Sequence, residues 1–534
     1  MLSSRPAFLH ALAIVSLLTA SSALAAVTQS GSTSPSSGAA GVNNVNITAS
    51  GVPYAPASIT PADVTVTWFS GSCGGTVATT NSANSVKLIL GSTQRFNVDV
   101  PASLSTATYY VQLSDSTSGQ GFTSTNCSQV NVTASSTFAN QCVAGSSLGV
   151  LLPPGGASGN VTAYVPNGFW TGGSTGIFVK NIEGSLGPGT TIPTAHVPNS
   201  CASNPATGET VCVASNTDVY LLTGTTLNTT LTSGSNSATS FSGGSCNNCG
   251  VAVNAGNNTA VINMGISSGP GTSGSGIQML NLATNTFNAP FEMINQVSEN
   301  ITVDPTRKMV LSGNEAEGFP VLTLGSGGSV TEFSSSFVAP GELDSNAEDC
   351  ATGIAFAPME FTNSIQLVNF NGGAPSVNPY ASPNAVATLS TTAYSFAAGL
   401  SGSAMAQGNG HLGVVTGEFG GNTAAVLQFP STITPSATPS ILDYAVFQIP
   451  SSAACGGAFS AGFDPHTVTA YTSPNNGKAY ALFAGYGAAE TPVCLALVDL
   501  AAALAAPRGG AGYGSHEVAP SSLPASAVTF FTLP

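Results

Sequence analysis

Between residues 142 and 534 the sequence returns to one pattern about every 50 residues, and a period of that length narrows the choice of fold more than any other property of the chain. The unit is clearest from Gly250 to Phe291, GVAVNAGNNTAVINMGISSGPGTSGSGIQMLNLATNTFNAPF. Val251 to Val253 reads as a short apolar strand, Asn254 to Asn258 as a polar turn, Thr259 to Met264 as the returning strand and Gly276 to Leu282 as a third. The Ala283-Thr-Asn285 turn leads to a fourth strand through Phe287. Aligning the first strand along the chain gives anchors at Val150, Cys201, Val251, Ile301, Ile354, Ala404 and Ala461, spaced by 51, 50, 50, 53, 50 and 57 residues. The turn recurs at Pro153-Pro154, Asn204-Pro205, Asn254-Ala255, Asp304-Pro305, Ala357-Pro358, Gln407-Gly408 and Asp464-Pro465. The third strand recurs as GIFVKNI, DVYLL, FPVLTL, SIQLVNF, TAAVLQF and VCLALVDL. Seven turn-rich antiparallel units, none able to bury its faces alone, predict a seven-bladed β-propeller over 142–534. The last strand, Ala527 to Leu533, has no unit of its own and is expected to close the ring against the first blade, where an edge would otherwise stay open.

Upstream the period is absent. Short alternating strands at Asn46–Gly51, Val64–Trp68, Arg95–Val100, Thr108–Leu113 and Val130–Thr133, with turn clusters between them, predict an immunoglobulin-like β-sandwich over 45–134. The expected fold class is therefore all-β. Residues 26–44, rich in Ser and Gly, read as a flexible leader, and 135–141 as the linker between domains. Residues 1–25 carry one Arg, an apolar run from Phe8 to Leu18 and Ala23-Leu24-Ala25, the pattern of a secretory signal peptide. No later stretch is long and apolar enough to predict a membrane span.

Only 6% of residues are charged, against 42% hydrophobic, so neither ion-paired helices nor a disordered chain is expected. Without Arg5, seven basic side chains face 23 acidic ones, a formal charge of −16 that argues against nucleic acid as a partner. All ten cysteines follow residue 25, and an even number in an exported chain favours disulfides. Cys73 is expected to pair with Cys127, Cys201 with Cys212 across a hairpin, and Cys455 with Cys494. The sequence leaves Cys142, Cys246, Cys249 and Cys350 unassigned.

The phrases ITASGVPYAPASITPADVTVTW and ATYYVQLSD…VNVTA resemble the IPT/TIG-like immunoglobulin modules of exported bacterial proteins, which usually act as spacers or binding arms. The repeats resemble the YVTN family of β-propeller repeats, best in GIQMLNLATNTF, where Leu280-Asn-Leu-Ala-Thr284 stands in for the family's closing I-D-T-A-T. No unit shows the full signature. This resemblance implies the propeller and says little about activity.

In a propeller, the loops before each innermost strand and between the second and third strands open on one face around the channel. Glu292, Glu299, Glu342, Asp344, Glu348 and Asp349 fall in the first class of loop, and Glu315, Glu317 and Glu418 in the second. Of these, Glu299, Glu317, Glu342, Asp344, Asp349 and Glu418 form the expected binding face. Clustered carboxylates raise one another's pKa unless a cation or donors compensate, so the one ion such a face would suit is a divalent cation such as Ca²⁺. No cofactor is otherwise specified. No catalytic constellation and no paired CxxC units at zinc spacing stand out, and Gly265-Ile-Ser-Ser-Gly269 lacks the following helix that a nucleophile elbow requires. The sequence thus points to an exported, non-catalytic binding or scaffolding protein with a protein or glycan ligand at the cell surface. A metal-dependent lactonase-like or glycan-active propeller enzyme, and a self-assembling surface-layer component, are the alternatives.

Overall fold

The strands of the repeat are apolar on both of their faces, so each sheet needs a neighbour on either side. The computed structural model describes residues 26–534 with breaks, the longest at 134–142, 232–249, 265–275, 333–342 and 372–383. Among the described residues the chain is all-β, with one α-helix, Leu500–Ala505.

Seven sheets of four or more strands follow the N-terminal domain, antiparallel throughout except where Tyr513–Val518 joins the sixth by a parallel pairing. Their first strands are Gly149–Leu151, Pro198–Asn204, Val251–Asn254, Ser298–Asp304, Ala347–Asp349, Leu400–Ala406 and Phe463–Thr472. Each lies beside the first strand of the next sheet, and that of the seventh lies beside that of the first. Seven separate apolar cores fill the seven junctions, including one between the seventh sheet and the first. Period-two alternation divides each strand between two of these cores. In the third sheet Val251, Val253, Ala260 and Ile262 face the second sheet, while Ala252 and Val261 face the fourth.

The third strands fall where the sequence places them, from Gly172–Glu183 in the first sheet to Pro492–Asp499 in the last. One anchor and two turns do not. Ile354, and with it the expected turn Ala357-Pro358, lies on the second strand of the fifth sheet, Ile354–Pro358, because the first strand is Ala347–Asp349, whose two carboxylates hide it from an apolar search. Asp464-Pro465 lies within Phe463–Thr472, and the true turn of the seventh sheet is at Ser473–Gly477. Ala461 lies outside the described residues.

The last strand, Val528–Thr532, pairs with Pro492–Asp499 of its own sheet rather than with the first sheet, although Phe531 and Leu533 pack into the junction core there. Between these two strands the chain makes the helix, capped by Asp499, whose Oδ1 accepts from the Ala502 amide at 3.0 Å. It then makes a hairpin of Arg508–Gly510 and Tyr513–Val518 that lies along the outer strand of the sixth sheet, Asp443–Gln448, and covers its edge. Arg508 binds Asp443 through two hydrogen bonds of 2.7 and 3.0 Å, which hold the Asp443 carboxyl below its usual range.

The N-terminal domain closes nine strands around Trp68, Phe96 and their neighbours. Its first residues are not a flexible leader. Val27 enters the core, Thr28–Gln29 pairs with Asn44–Ser50, and Ser32–Ala39 runs parallel to Ser128–Thr133. The buried Gln29 side chain accepts from the Leu113 amide at 2.9 Å and donates to the Val111 carbonyl at 2.8 Å and Ser128 at 3.0 Å. A Ser- and Gly-rich segment has little apolar signal, but its backbone can still complete a sheet. The segment that follows this domain does not pass straight to the first repeat sheet: Val143–Ala144 pairs with the first strand of the fourth.

Candidate functional site

In the second, fifth and seventh sheets the turns between first and second strands share one construction. In the second sheet Asn204 Oδ1 accepts from the Ala206 amide at 3.0 Å, and the Gly208 amide returns to the Asn204 carbonyl at 2.8 Å with Gly208 at φ +75°. Asp349 and Gly353 repeat this in the fifth sheet, with Gly353 at φ +76°, and Ser473 with Gly477 in the seventh. Only a residue at home in the left-handed region closes the turn, which accounts for Gly at the fifth position.

In the fourth to sixth sheets these turns join into a buried polar network. Asp304 opens the fourth turn and binds Arg307 Nη1 at 2.7 Å. The guanidinium continues to two carbonyls of the fifth sheet, Phe370 at 2.9 Å and Cys350 at 3.1 Å, and stands 3.6 Å from Glu348. Asp349 accepts from Thr352 at 2.9 Å and meets His411 Nδ1 of the sixth sheet at 2.7 Å. His411 itself holds φ +49°, at the place where Gly353 stands one sheet earlier. Asp304, Glu348 and Asp349 are all fully buried. Burial first, and then the neighbouring Asp304 charge, push the Glu348 carboxyl well above its ordinary range. Neither Glu348 oxygen has a hydrogen-bond partner among the described residues, and the Arg307 guanidinium at 3.6 Å faces it as a charge of opposite sign.

This network removes Asp349 from the expected binding face. Asp349 and Glu348 lie on the strand that ends in the turn, at the end of the sheets opposite the loops assigned to them, and Asp349 is engaged by Thr352 and His411. Glu299 lies on Ser298–Asp304, with only its backbone described, while Glu317, Glu342, Asp344 and Glu418 lie outside the described residues. Among the described residues no group of three His, Cys, Asp or Glu side chains is placed to hold a metal ion.

On the opposite end, the titratable pair that the structure brings together is His196 with Asp218. His196 precedes the first strand of the second sheet and Asp218 its third, and His196 Nδ1 meets the buried Asp218 carboxylate at 2.7 Å while about half the imidazole side chain, 51%, remains exposed. A carboxylate on Nδ1 fixes the ring's tautomer and orientation. The sequence did not single out this pair, since its members are 22 residues apart and only the register of two strands joins them.

The seventh sheet meets the first at Glu183, which accepts from Tyr471 at 2.7 Å, Ser473 at 2.6 Å and Asn475 at 3.1 Å. Disulfides join Cys73 to Cys127, Cys201 to Cys212 and Cys455 to Cys494, as the sequence predicts. Cys350 is also disulfide-bonded, and Cys142, Cys246 and Cys249 lie outside the described residues. No described helix is long and apolar enough to cross a membrane. No protein-family model matches the chain, and no curated protein matches it.

Proposed function

We propose that the protein is an exported, non-catalytic binding or scaffolding protein whose seven repeat sheets form a seven-bladed propeller, with the N-terminal domain as an immunoglobulin-like arm. The observation that carries this reading is the cyclic order of the seven sheets, each packed on the next and the last on the first through its own apolar core. A cyclic stack of rigid sheets holds its loops at fixed positions, which suits recognition of a protein or glycan surface. The three disulfides support an oxidising compartment, and residues 1–25 support export as a signal peptide. The buried carboxylates described above serve contacts between sheets, which fits a scaffold better than a metal-dependent hydrolase built on Asp349.

The test is binding of residues 26–534 to a glycan panel and to intact cells of the producing organism, beside turnover of lactone and polysaccharide panels with Ca²⁺ or EDTA. Saturable binding with no turnover is expected, and His196→Ala should weaken it if the ligand sits on that face. Turnover abolished by EDTA would overturn the reading in favour of an enzyme, and polymers formed on concentration would favour a surface-layer component.

A further inference from the structure

The inner part of the junction between the fourth and fifth sheets is polar where its neighbours are apolar. Counting back from the turn, Val251 and Val253 of the third sheet face Ala202 of the second, and Ile301 and Val303 of the fourth face Ala252 of the third. The fifth sheet has Asn346 and Glu348 at those two places, and the fourth has Thr302 where the alanines stand. All three are fully buried. Asn346 Nδ2 donates to the Asn300 carbonyl at 3.3 Å, Thr302 Oγ1 donates to the Asn346 carbonyl at 3.0 Å, and Glu348 stands 3.6 Å from Arg307. Asn346 and Glu348 therefore both turn to the fourth sheet and flank one space beside Asp304.

Acceptors outnumber donors in this space. Asn346 Oδ1 and both Glu348 oxygens have no hydrogen-bond partner among the described residues, and oxygens buried in this way call for a donor or a cation. Arg307 directs Nε and Nη1 at Asp304 and at the Phe370 and Cys350 carbonyls. Its single positive charge faces two carboxylates, Asp304 and Glu348. Asp349, next along the chain, turns instead to the sixth sheet, where Thr352 and His411 meet it. The space thus lacks one positive charge that binds oxygen. We propose that it holds one alkali-metal cation, Na⁺ or K⁺, between the Glu348 carboxylate and the Asn346 amide oxygen, with Asp304 adding charge. Alkali cations take neutral oxygens readily. A divalent ion wants more carboxylates than are assembled here, and it would leave the site positive beside Arg307. The ion offsets both the burial and the Asp304 charge that act against the Glu348 carboxylate. It ties the fourth sheet to the fifth at a place where other junctions use packed valine, isoleucine and alanine.

Thermal melts of residues 26–534 in tetramethylammonium chloride, with Na⁺ or K⁺ replacing it stepwise and Ca²⁺ in a parallel series, test the site. Constant ionic strength keeps the general screening of this acidic chain fixed. Tm should climb with the logarithm of the concentration of one alkali cation once that passes its dissociation constant. Glu348→Gln keeps the shape and removes the charge, and Asn346→Ala removes the amide oxygen. Whatever its own Tm, each variant should lose the climb, whereas Glu209→Gln, the same substitution in the second sheet, should keep it. Rb⁺ exchanged into crystals gives a reading that needs no variant, and an anomalous peak beside Glu348 and Asn346 is expected. Equal melts in all three monovalent salts, a climb that survives both substitutions, or Rb⁺ crystals with no peak there overturn the proposal. A climb with Ca²⁺ alone overturns the monovalent assignment.

Discussion

Gly208 and Gly353 occupy the same place in two copies of one turn, and replacing each by Ala separates the cost of backbone conformation from the cost of disturbing the buried network. Both hold left-handed φ, +75° and +76°. An L side chain there costs about 1–2 kcal/mol. A Cβ on Gly208 meets nothing within 4 Å, so Gly208→Ala should lose about that much and no more. A Cβ on Gly353 would lie 2.6 to 2.8 Å from the Arg307 guanidinium. Arg307 cannot retreat without releasing Asp304 and the two carbonyls it binds, and leaving a buried charge unpaired costs about 3–5 kcal/mol. Gly353→Ala should therefore lose about 4–7 kcal/mol in total, about 3–5 more than its counterpart. Urea unfolding followed by tryptophan fluorescence and by far-UV circular dichroism, with both variants in one buffer, reads the difference. Losses equal to within about 1 kcal/mol would refute the claim that Gly353 exists to admit Arg307.

Other outcomes follow from the same contacts. Burial raises the Glu209 carboxyl from 4.5 to about 7. A raised acid holds its proton in the folded state, so its contribution is unchanged below pH 4.5, falls as pH rises from 4.5 to 7 and is flat above; Glu209→Gln should remove about 1–2 kcal/mol of that decline, read from melts across the window. Burial holds the Glu348 carboxyl above its ordinary range, so the stability it contributes falls as pH rises above that range; Glu348→Gln should flatten this decline, read from melts across pH, and an unchanged decline in the variant would refute the assignment. Glu183→Ala removes three hydrogen bonds to one carboxylate and should cost about 3 kcal/mol, with hydrogen exchange rising first in the first and seventh sheets.

Much of the fold was legible because the repeat writes its strands in apolar residues and its turns in Asn, Asp and Gly. Asn204-Pro-Ala-Thr-Gly208 and Asp349-Cys-Ala-Thr-Gly353 differ at two positions, and that likeness would have located the fifth sheet's first strand correctly. Apolarity drew the alignment to Ile354 instead, since a strand ending in Glu348-Asp349 looks solvated until Arg307 and His411 arrive from neighbouring sheets. The leader was misread for a similar reason, as Gln29 is buried by bonds to Val111, Leu113 and Ser128, more than 80 residues away. Cysteine pairing was readable where it followed strand register, Cys201 being directly opposite Cys212. The His196 and Asp218 pair had no local signal at all.

Six of the seven junctions between repeat sheets are bridged by the chain itself, which passes from one sheet to the next. The junction between the seventh sheet and the first has no such tether and, among the described residues, no strand pairing across it. Its apolar core, the groups gathered on Glu183 and the hydrogen bonds of Ser158 and Gly159 to Pro474 and Asn475 bear the force that tries to open the array. Under tension an array built this way is expected to part at this junction and leave every sheet whole, so the opened state can close again without refolding any of them.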